Sequence, residues 1–258
     1  MVIDLHSHVL PGLDDGAETL ADALAMCRIA VADGTTTLVA TPHMMNGVYS
    51  VSREDVLGGV AALRARLAAE GLPLEILPGG DVHVDRELPA LLRDGQVMTV
   101  GDAGRYMLLE LPHDLVPPGI SGLLFEIQLA GVTPIVTHPE RQRAVQEKPD
   151  LLREWVKTGS LVQVTAMSLT GAFGRAAETC AWHLLQRRLA HLVASDAHSP
   201  GARPPGLSAA RQVVEATLGT DEALEIFDRR PRQVVDGEEI DLLGPQRSGR
   251  RWWPFQRR

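Results

Sequence analysis

Few cysteines, no long apolar run and no recognisable leader characterise this 258-residue sequence, and each shortage excludes a class of protein. Cys27 and Cys180 are too few and too far apart for a disulfide framework or a cysteine-rich zinc module. No apolar run reaches the roughly 18 residues that a membrane span requires. The N-terminus has no basic start, and Asp4, His6 and His8 interrupt its apolar stretch, which argues against a signal peptide. We therefore expect a cytoplasmic protein.

Several catalytic and nucleotide-binding signatures are also absent. No predicted strand is followed by a G-x-G-x-x-G or P-loop pattern, which argues against nucleotide binding. A cysteine-dependent phosphatase needs an arginine six positions after its cysteine, but Asp33 and Gln186 stand at that distance from Cys27 and Cys180. Both cysteines fall in helical apolar patterns, so we expect them to be buried and structural. The G-x-S-x-G pattern of a nucleophilic serine is missing as well.

Acidic residues outnumber basic ones, and the basic residues concentrate at one end of the chain. The net charge of −8 argues against nucleic-acid binding by the folded body. The segment Pro245–Arg258 holds five arginines and no acid, so −8 for the chain leaves −13 for the rest. We predict a single domain over residues 1–244 and a basic Trp/Arg-rich tail over residues 245–258. The tail is expected to be either disordered and solvated or a docking segment for an anionic membrane surface.

Short β-branched or apolar runs alternate with segments of helical periodicity along the chain. The predicted strands are Val2–His6, Thr35–Thr41, Leu74–Leu77, Tyr106–Leu111, Thr133–Thr137, Ser160–Thr165 and His191–Ser195. The predicted helices are Glu18–Ala32, Ser52–Ala69, Gly119–Ala130, Pro149–Lys157, Ala172–Arg188 and Leu207–Leu218. In the first helix, the spacing predicts a buried face formed by Leu20, Leu24, Cys27 and Val31.

This alternation predicts an α/β fold with a parallel sheet, because parallel strands need crossover connections that are usually helical. The strands read as continuous apolar runs, which predicts burial on both faces. Two architectures remain open from the pattern alone: a barrel of (β/α) units and an open doubly wound sheet.

Histidines and acids follow the carboxyl ends of the predicted strands, where the active sites of (β/α) barrels form. The set comprises His6, His8, His43, Asp81, Glu110, His138, Asp196 and His198. Residues i and i+2 of an extended segment point the same way, so the His6–His8 pair can hold one metal, and we expect the same of Asp196 and His198. Imidazole and carboxylate ligands without cysteine suit Zn, Mn or Fe.

So many ligand-type side chains predict a cluster of two or three metals rather than one ion. Arg141 and Arg203 stand close to it in sequence, and their planar forks suit phosphate. The other four histidines are expected to be ordinary, although two lie near the predicted mouth (His83, His113, His183 and His191).

The order of these motifs resembles a known family. IDLHSHVLPGLDDGA, ATPHMMNGVY, LPGGDV, LLELP, THPERQR and ASDAH occur in this order and at about these intervals in PHP-domain (polymerase and histidinol phosphatase) proteins. DDG, HPER and SLTGAFG narrow the resemblance to the tyrosine-protein phosphatases of capsule and exopolysaccharide operons, the CpsB/CapC/YwqE type. The resemblance covers Met1 to Asp236.

The resemblance implies a distorted (β/α)7 TIM-like barrel of the PHP type with three divalent metal ions at its mouth, Mn favoured over Fe or Zn. It implies one metal held by His6, His8 and Asp196, a second by Glu110 and His138 with Asp81 bridging to the first, and a third by Asp15, His43 and His198. Asp14 is the less favoured alternative to Asp15. The resemblance assigns phosphate binding to Arg141 and Arg203.

Two residues depart from the family pattern. Asp81 stands in GGD where the family usually has Glu, so the bridging ligand is one methylene shorter, and metal affinity or preference can differ. Met167 precedes Ser168, where a small residue is usual, and would narrow the pocket.

The implied activity is hydrolysis of phosphotyrosine, with a metal-activated hydroxide as the nucleophile and His43 or His198 as a proton donor. The implied substrate is an autophosphorylated tyrosine kinase of polysaccharide export, which would bring the chain to the inner face of the membrane, and a homo-oligomer is compatible with the resemblance. Alternatives are a PHP phosphoesterase acting on a small phosphomonoester such as histidinol phosphate, an amidohydrolase and a non-enzymatic metal-binding module. An amidohydrolase is disfavoured because Glu110 stands where that family has a bridging lysine.

Overall fold

The structure, a computed structural model, describes residues 2–241 as an α/β fold in which every paired strand runs parallel to its neighbour. The strands are β1 Val2–Ser7, β2 Thr35–Ala40, β3 His43–Met44, β4 Glu75–Pro78, β5 Asp81–His83, β6 Tyr106–Glu110, β7 Thr133–Thr137, β8 Leu161–Thr165 and β9 Leu192–Ala194. The predicted class and all the predicted strands are therefore confirmed. The predicted boundary at residue 244 lies outside the described residues.

The strands form two sheets, and the chain passes almost directly from one sheet into the other at two places. One sheet has the order β1-β2-β4 and the other the order β3-β5-β6-β7-β8-β9. Two residues separate β2 from β3, and two separate β4 from β5, so each of these pairs is nearly one continuous strand that crosses between the sheets. At the far end of the larger sheet, the N–H of His8 donates to the Ala197 carbonyl at 2.8 Å, and the N–H of Asp196 donates to the His6 carbonyl at 2.9 Å.

Helices connect most of the strands. They are α1 Leu20–Ala32, α2 Arg53–Glu70, α3 Leu88–Arg93, α4 Ile120–Leu129, α5 Arg143–Glu147, α6 Leu152–Lys157, α7 Ala166–Leu169, α8 Arg175–Gln186, α9 Ser208–Leu218, α10 Thr220–Leu224 and α11 Arg230–Asp236. All six predicted helices are present. The predicted start of α8 at Ala172 is wrong by three residues, because Gly174 has φ 85° and ψ 165°, which is not helical. None of the described helices is long and apolar enough to cross a membrane.

Each central strand is buried on both faces, as the apolar runs predict. In β6, Met107 and Leu109 pack with the helices in the larger apolar cluster, while Tyr106 and Leu108 face a second one. Alternate residues of the neighbouring strands, such as Leu5, complete the second cluster. Side chains alternate across a strand, so this division follows from the period of two.

The predicted face of α1 is partly wrong. Leu20 is 39% exposed, and the buried stripe consists of Ala23, Leu24, Met26, Cys27 and Ala30. The capping box of Thr19 and Asp22 also moves the start of the helix from Glu18 to Leu20.

Candidate metal centre

The carboxyl ends of the strands bring all nine of the predicted ligands together. The end of β1 supplies His6 and the residues after it supply His8 and Asp15; the other strands or their immediate continuations supply His43, Asp81, Glu110, His138, Asp196 and His198. Their side-chain atoms fall into four overlapping groups within 4.8 Å: His8, Asp15, His43 and His198; His6, His8 and Asp81; His6, His138 and Asp196; His43, Asp81 and Glu110.

His6 and His8 point to one place, as the His-x-His spacing predicts. Their Nε2 atoms are 3.1 Å apart, and both side chains are fully buried. The Nδ1 atom on the other side of each ring also has a polar partner. Gln163 of β8 lies 2.9 Å from Nδ1 of His6, and the Asp14 carboxylate lies 2.6 Å from Nδ1 of His8. Such partners fix the ring orientation and leave Nε2 free for a metal.

Asp196 divides its two carboxylate oxygens between two sides of the site. Oδ1 lies 3.4 Å from Nε2 of His6 and 3.5 Å from Nε2 of His8. Oδ2 accepts hydrogen bonds from Arg141 and Arg203, each at 2.6 Å. The extended Asp-x-His geometry that we predicted is wrong, because Asp196 has φ 53° in the left-handed region. The two side chains nevertheless stay close: Nδ1 of His198 lies 3.6 Å from Oδ1 of Asp196, and its Nε2 lies 3.6 Å from Oδ1 of Asp15.

The centre of the cluster is Oδ2 of Asp81. It lies 3.5 Å from His6 Nε2, 3.5 Å from His43 Nδ1 and 3.7 Å from His138 Nε2. Its partner oxygen, Oδ1, accepts a hydrogen bond from Thr137, but Oδ2 is buried and has no hydrogen-bond partner. A buried carboxylate oxygen without a partner is costly unless a cation satisfies it.

The spacing of these atoms fits a metal. Two ligand atoms about 2.1 Å from one ion in tetrahedral geometry are about 3.4 Å apart, close to the 3.4–3.5 Å separations around His6. The donor set consists of imidazoles and carboxylates without a cysteine, which suits Mn, Fe or Zn. The residues therefore fit a metal centre.

Gly79 and Gly80 let the strand carrying Asp81 approach its neighbours closely. A Cβ on Gly79 would lie 2.7 Å from the Val39 side chain, and one on Gly80 would lie 2.6 Å from the Met44 sulfur. Side chains at these positions would push the strand away from the site.

Glu110 and His138 complete the side of the cluster opposite His8. Nε2 of His138 lies 3.7 Å from Oε1 of Glu110, and Nδ1 of His43 lies 3.2 Å from Oε2. His138 has φ 34° and ψ 44°, a left-handed conformation that is strained for a side chain of this size. His83, which we expected near the mouth, lies 3.6 Å from Glu110 through Nδ1.

Asp15 lies at the outer side of the cluster, while Asp14 lies beneath it. Oδ1 of Asp15 is 3.5 Å from Nε2 of His43, and the side chain is 51% exposed. The Asp14 carboxylate instead accepts from the backbone N–H groups of Gly16 and His43, in addition to contacting His8. A Cβ on Gly16 would come within 2.1 Å of the His8 carbonyl oxygen, so the DDG turn requires glycine.

Charge at the centre is predominantly negative. Burial disfavours a charged imidazole, but Asp14 and Asp196 together outweigh burial and raise the pKa of His8 to about 10. Burial likewise disfavours the Asp196 carboxylate, yet His6, His8, His138 and Arg203 hold its pKa well below the usual range. Divalent cations would neutralise such a concentration of buried carboxylates.

Arg141 and Arg203 form the positively charged side of the site. Both guanidinium groups are partly buried and meet at Asp196. The Phe173 ring contacts both, with its centroid 4.7 Å from Cζ of Arg141 and 5.6 Å from Cζ of Arg203. A cleft of about 430 Å³ opens beside Asp15, His198 and Arg203.

No other part of the described chain offers comparable chemistry. A cavity of about 770 Å³ at the opposite end of the strands is lined by residues such as Tyr106, Arg153 and Lys157, without a ligand cluster. The two cysteines are buried, as predicted, and burial raises the pKa of each thiol to about 12. Neither is a usable nucleophile near neutral pH.

The sequence did not predict three residues that contact the site residues: Gln163, Thr137 and Phe173. Gln163 did carry a signal, since it is a polar residue in the middle of the apolar run LVQVT. Phe173 lies in SLTGAFG, which we used only to narrow the resemblance. Thr137 carried none, because a threonine at a strand end is ordinary.

Comparisons with known proteins agree with the motifs. A family model described as capsular polysaccharide synthesis, CpsB/CapC, matches residues 2–236. Tyrosine-protein phosphatase YwqE of Bacillus subtilis (strain 168) is 38% identical over 220 residues, covering 85% of this chain and 86% of that protein. Tyrosine-protein phosphatase CpsB of Streptococcus pneumoniae is 27% identical over 239 residues, covering 91% and 98%.

Solved structures agree as well. One from a study of YwqE from Bacillus subtilis and CpsB from Streptococcus pneumoniae, described as unique metal-dependent tyrosine phosphatases, superposes with a TM-score of 0.89. It shares 36% identity and covers 93% of this chain and 96% of that one. A β-aspartyl dipeptidase from Fervidobacterium islandicum AW-1 superposes with a TM-score of 0.57 at 15% identity, covering 93% and 74%, which is a likeness of fold alone.

Proposed function

The chain belongs to the CpsB/CapC family of capsular polysaccharide synthesis, and from this membership we propose that it is a metal-dependent protein-tyrosine phosphatase. The observation that carries the proposal is the convergence of five histidines and four carboxylates beside two arginines. The named relatives are tyrosine-protein phosphatases, so a small phosphomonoester such as histidinol phosphate is not the favoured substrate.

The centre would hold three ions, Mn being favoured over Fe or Zn. We assign His6, His8 and Asp196 to one ion, Glu110 and His138 to a second with Asp81 bridging the two, and Asp15, His43 and His198 to the third. The unpartnered Oδ2 of Asp81 among three imidazoles supports the bridging role. The closeness of His138 to His6 and Asp196 also makes it a neighbour of the first ion.

When bound, such ions lower the pKa of a water molecule toward neutrality and neutralise charge on phosphate oxygens. Arg141 and Arg203 would bind the same phosphate with their forks and stabilise the charge that develops during transfer. Their positions at the partly exposed edge of the site suit this role. The leaving phenolate has a pKa near 10, so proton donation by His43 or His198 contributes less than it would for an alkoxide.

We also propose that the two sheets form one distorted (β/α)7 TIM-like barrel of the PHP type, spanning a single domain over residues 1–244. Its support is the near continuity of β2 with β3 and of β4 with β5, which leaves seven strands in effect. The parallel bridge from Ser7 to Ala197 joins the first strand to the end of the last, and a second apolar cluster lies on the other face of the strands.

The protein substrate would be an autophosphorylated tyrosine kinase of the polysaccharide export machinery. Membership of the capsule family supports this substrate class. We place the enzyme in the cytoplasm and expect it to bind no nucleic acid. Peripheral contact with the inner face of the membrane through the basic tail at residues 245–258, and a homo-oligomer, are compatible with the resemblance. The tail lies outside the described residues.

Metal removal and readdition test the activity. The purified protein should hydrolyse a phosphotyrosyl peptide, lose this activity with a chelator and regain it with added Mn²⁺, while turning over histidinol phosphate far more slowly. His138→Ala should lose most turnover and part of the bound metal. Cys27→Ser and Cys180→Ser are the controls and should remain active. Full activity after complete demetallation, or inactivation by either serine variant alone, would refute the proposal.

A further inference from the structure

Phe173 contacts both arginines of the site but has no role in the phosphatase chemistry proposed above. Its side chain is half-buried and lies against the guanidinium groups of Arg141 and Arg203, at 4.7 and 5.6 Å from the ring centroid. Both distances are within the range of a cation–π contact, which the ring's negative face makes attractive. The two arginines come from separate parts of the chain, so one ring joins them.

The segment that carries Phe173 has a fixed backbone. Gly171 and Gly174 flank it with φ of 80° and 85°, a region that strongly favours glycine. The preceding helix α7 is anchored by the buried Glu140 carboxylate, whose Oε1 accepts from the Ser168 hydroxyl at 2.6 Å and from the Thr165 N–H at 2.9 Å. Glu140 is adjacent to Arg141, so the ring and that arginine share one anchor.

Asp196 alone does not fix the orientation of the two guanidinium groups. Both arginines donate to the same oxygen, Oδ2, and one acceptor atom leaves a guanidinium plane free to rotate about the bond. Arg203 gains a second contact at the Asp196 carbonyl, 2.9 Å away, whereas its Nε is buried without a hydrogen-bond partner. An aromatic face is what restricts the remaining freedom of such planes.

We propose that Phe173 is a positioning residue for the arginine pair, holding both guanidinium groups in the orientation in which they bind the phosphate. The proposal rests on the proposed phosphatase function of that pair. Phe173 acts through the arginines and has no direct role in bond breaking.

Orthophosphate affinity is the direct test. We compare wild type with Phe173→Leu and Phe173→Tyr, using calorimetry on metal-loaded protein. Leucine keeps the apolar volume and loses the π face, so phosphate binding and kcat/KM should each fall by about tenfold, the size expected for two cation–π contacts. Tyrosine should retain both within about twofold. Metal content should not change in either variant.

Phe125→Leu on α4 is the matched control, because the same substitution is made at an exposed phenylalanine. It should leave phosphate affinity unchanged. If Phe173→Leu binds orthophosphate as tightly as wild type, the proposal is overturned. A loss in Phe173→Leu that comes with a lower metal content also overturns it, because the ring would then support the metal centre.

A double-mutant cycle with Arg141→Met separates positioning from a direct contact. If Phe173 acts through the arginines, Phe173→Leu should cost much less in the Arg141→Met background than in wild type. An undiminished cost would contradict the proposal. Wild type that binds orthophosphate but fails to hydrolyse phosphotyrosyl peptide would refute the phosphatase function alone, since the Phe173 dependence of binding is measured without turnover.

Discussion

At the scale of single residues, loss of the contact between Asp14 and His8 should weaken metal binding at the centre. Asp14 holds Nδ1 of His8 at 2.6 Å and accepts two backbone N–H groups of the site. Asp14→Asn keeps the shape but removes the charge, and loss of such a partner typically costs about 10- to 100-fold in metal affinity or activity. Metal titration of the demetallated protein measures it.

The control for Asp14 is Asp94→Asn, which makes the same change at an exposed carboxylate at the end of α3. It should leave metal affinity at the wild-type value. Equal metal affinity in the two variants would mean that His8 is oriented without Asp14.

His191 should make the protein less stable in mild acid. It is buried, and burial together with the nearby Arg230 lowers its pKa to about 3, while its Nδ1 accepts the Val162 N–H at 3.1 Å. The folded state therefore keeps the imidazole neutral. Its contribution is fully present above the unfolded pKa of about 6.5 and is lost as pH falls below that value, by about 1.4 kcal/mol per pH unit until pH 3 is approached.

His191→Asn should flatten this dependence, because the amide oxygen can still accept a hydrogen bond but cannot titrate. The measurement is the free energy of unfolding in urea between pH 6.5 and 5, at saturating metal in every sample. His113→Asn, at an exposed histidine, is the control and should keep the wild-type slope. A wild-type slope in His191→Asn would contradict the assignment.

Residue types and strand ends were enough to predict eight of the nine ligand-type side chains that meet at the site, and only the resemblance added Asp15. His6 and His8 could be paired from spacing alone, and their Nε2 atoms are 3.1 Å apart. The left-handed backbone of His138 and Asp196 could not be predicted, because neither is glycine. Tertiary contacts impose that conformation, and it decides where each side chain points.

At the scale of elements, the capping boxes fix where the longest helices begin. Ser52 accepts the Asp55 N–H at 3.2 Å, and Asp55 accepts the Ser52 N–H at 3.0 Å, ahead of α2. Ser52→Ala should lower the free energy of unfolding by about 1 kcal/mol, while Ser52→Thr, which keeps the hydroxyl, should lose less. Urea unfolding measures both. Equal midpoints for the two variants would show that the cap does not stabilise the helix.

Elements with long, regular patterns were predictable, and short ones were not. The apolar runs of β1, β6 and β7 identify those strands. Helices α3, α5, α7, α10 and α11 were missed because four to seven residues are too few for helical periodicity to be recognised. The two-residue strand β3 exists only through its pairing with β5, which is a tertiary contact.

At the scale of the whole molecule, the metal centre should contribute to the stability of the fold. Ligands come from β1, β3, β5, β6, β7 and the segment after β9, so ions bound there join distant parts of the chain. A metal ion that binds only the folded state, at a free concentration 100 times its Kd, adds about 2.7 kcal/mol to the free energy of unfolding.

Removal of metal tests this contribution: chelator should lower the melting temperature and Mn²⁺ should restore it. His113→Asn, outside the centre, should respond as wild type does, whereas Asp81→Asn should respond less to Mn²⁺. An unchanged melting temperature in chelator would argue against ions linking these strands.

The shared carboxylate of Asp196 has a consequence for the working cycle. One oxygen faces the histidines and the other faces the arginines, so a positive charge on the first side weakens the hold of Asp196 on the guanidinium groups and releases them for an anion. Thermodynamic linkage would make this exchange reciprocal: if metal raises the affinity for phosphate, phosphate raises the affinity for metal by the same factor. On the proposed function, the ions would therefore be held most tightly while phosphate is bound, and protein without substrate would be the form that loses them when the metal supply falls.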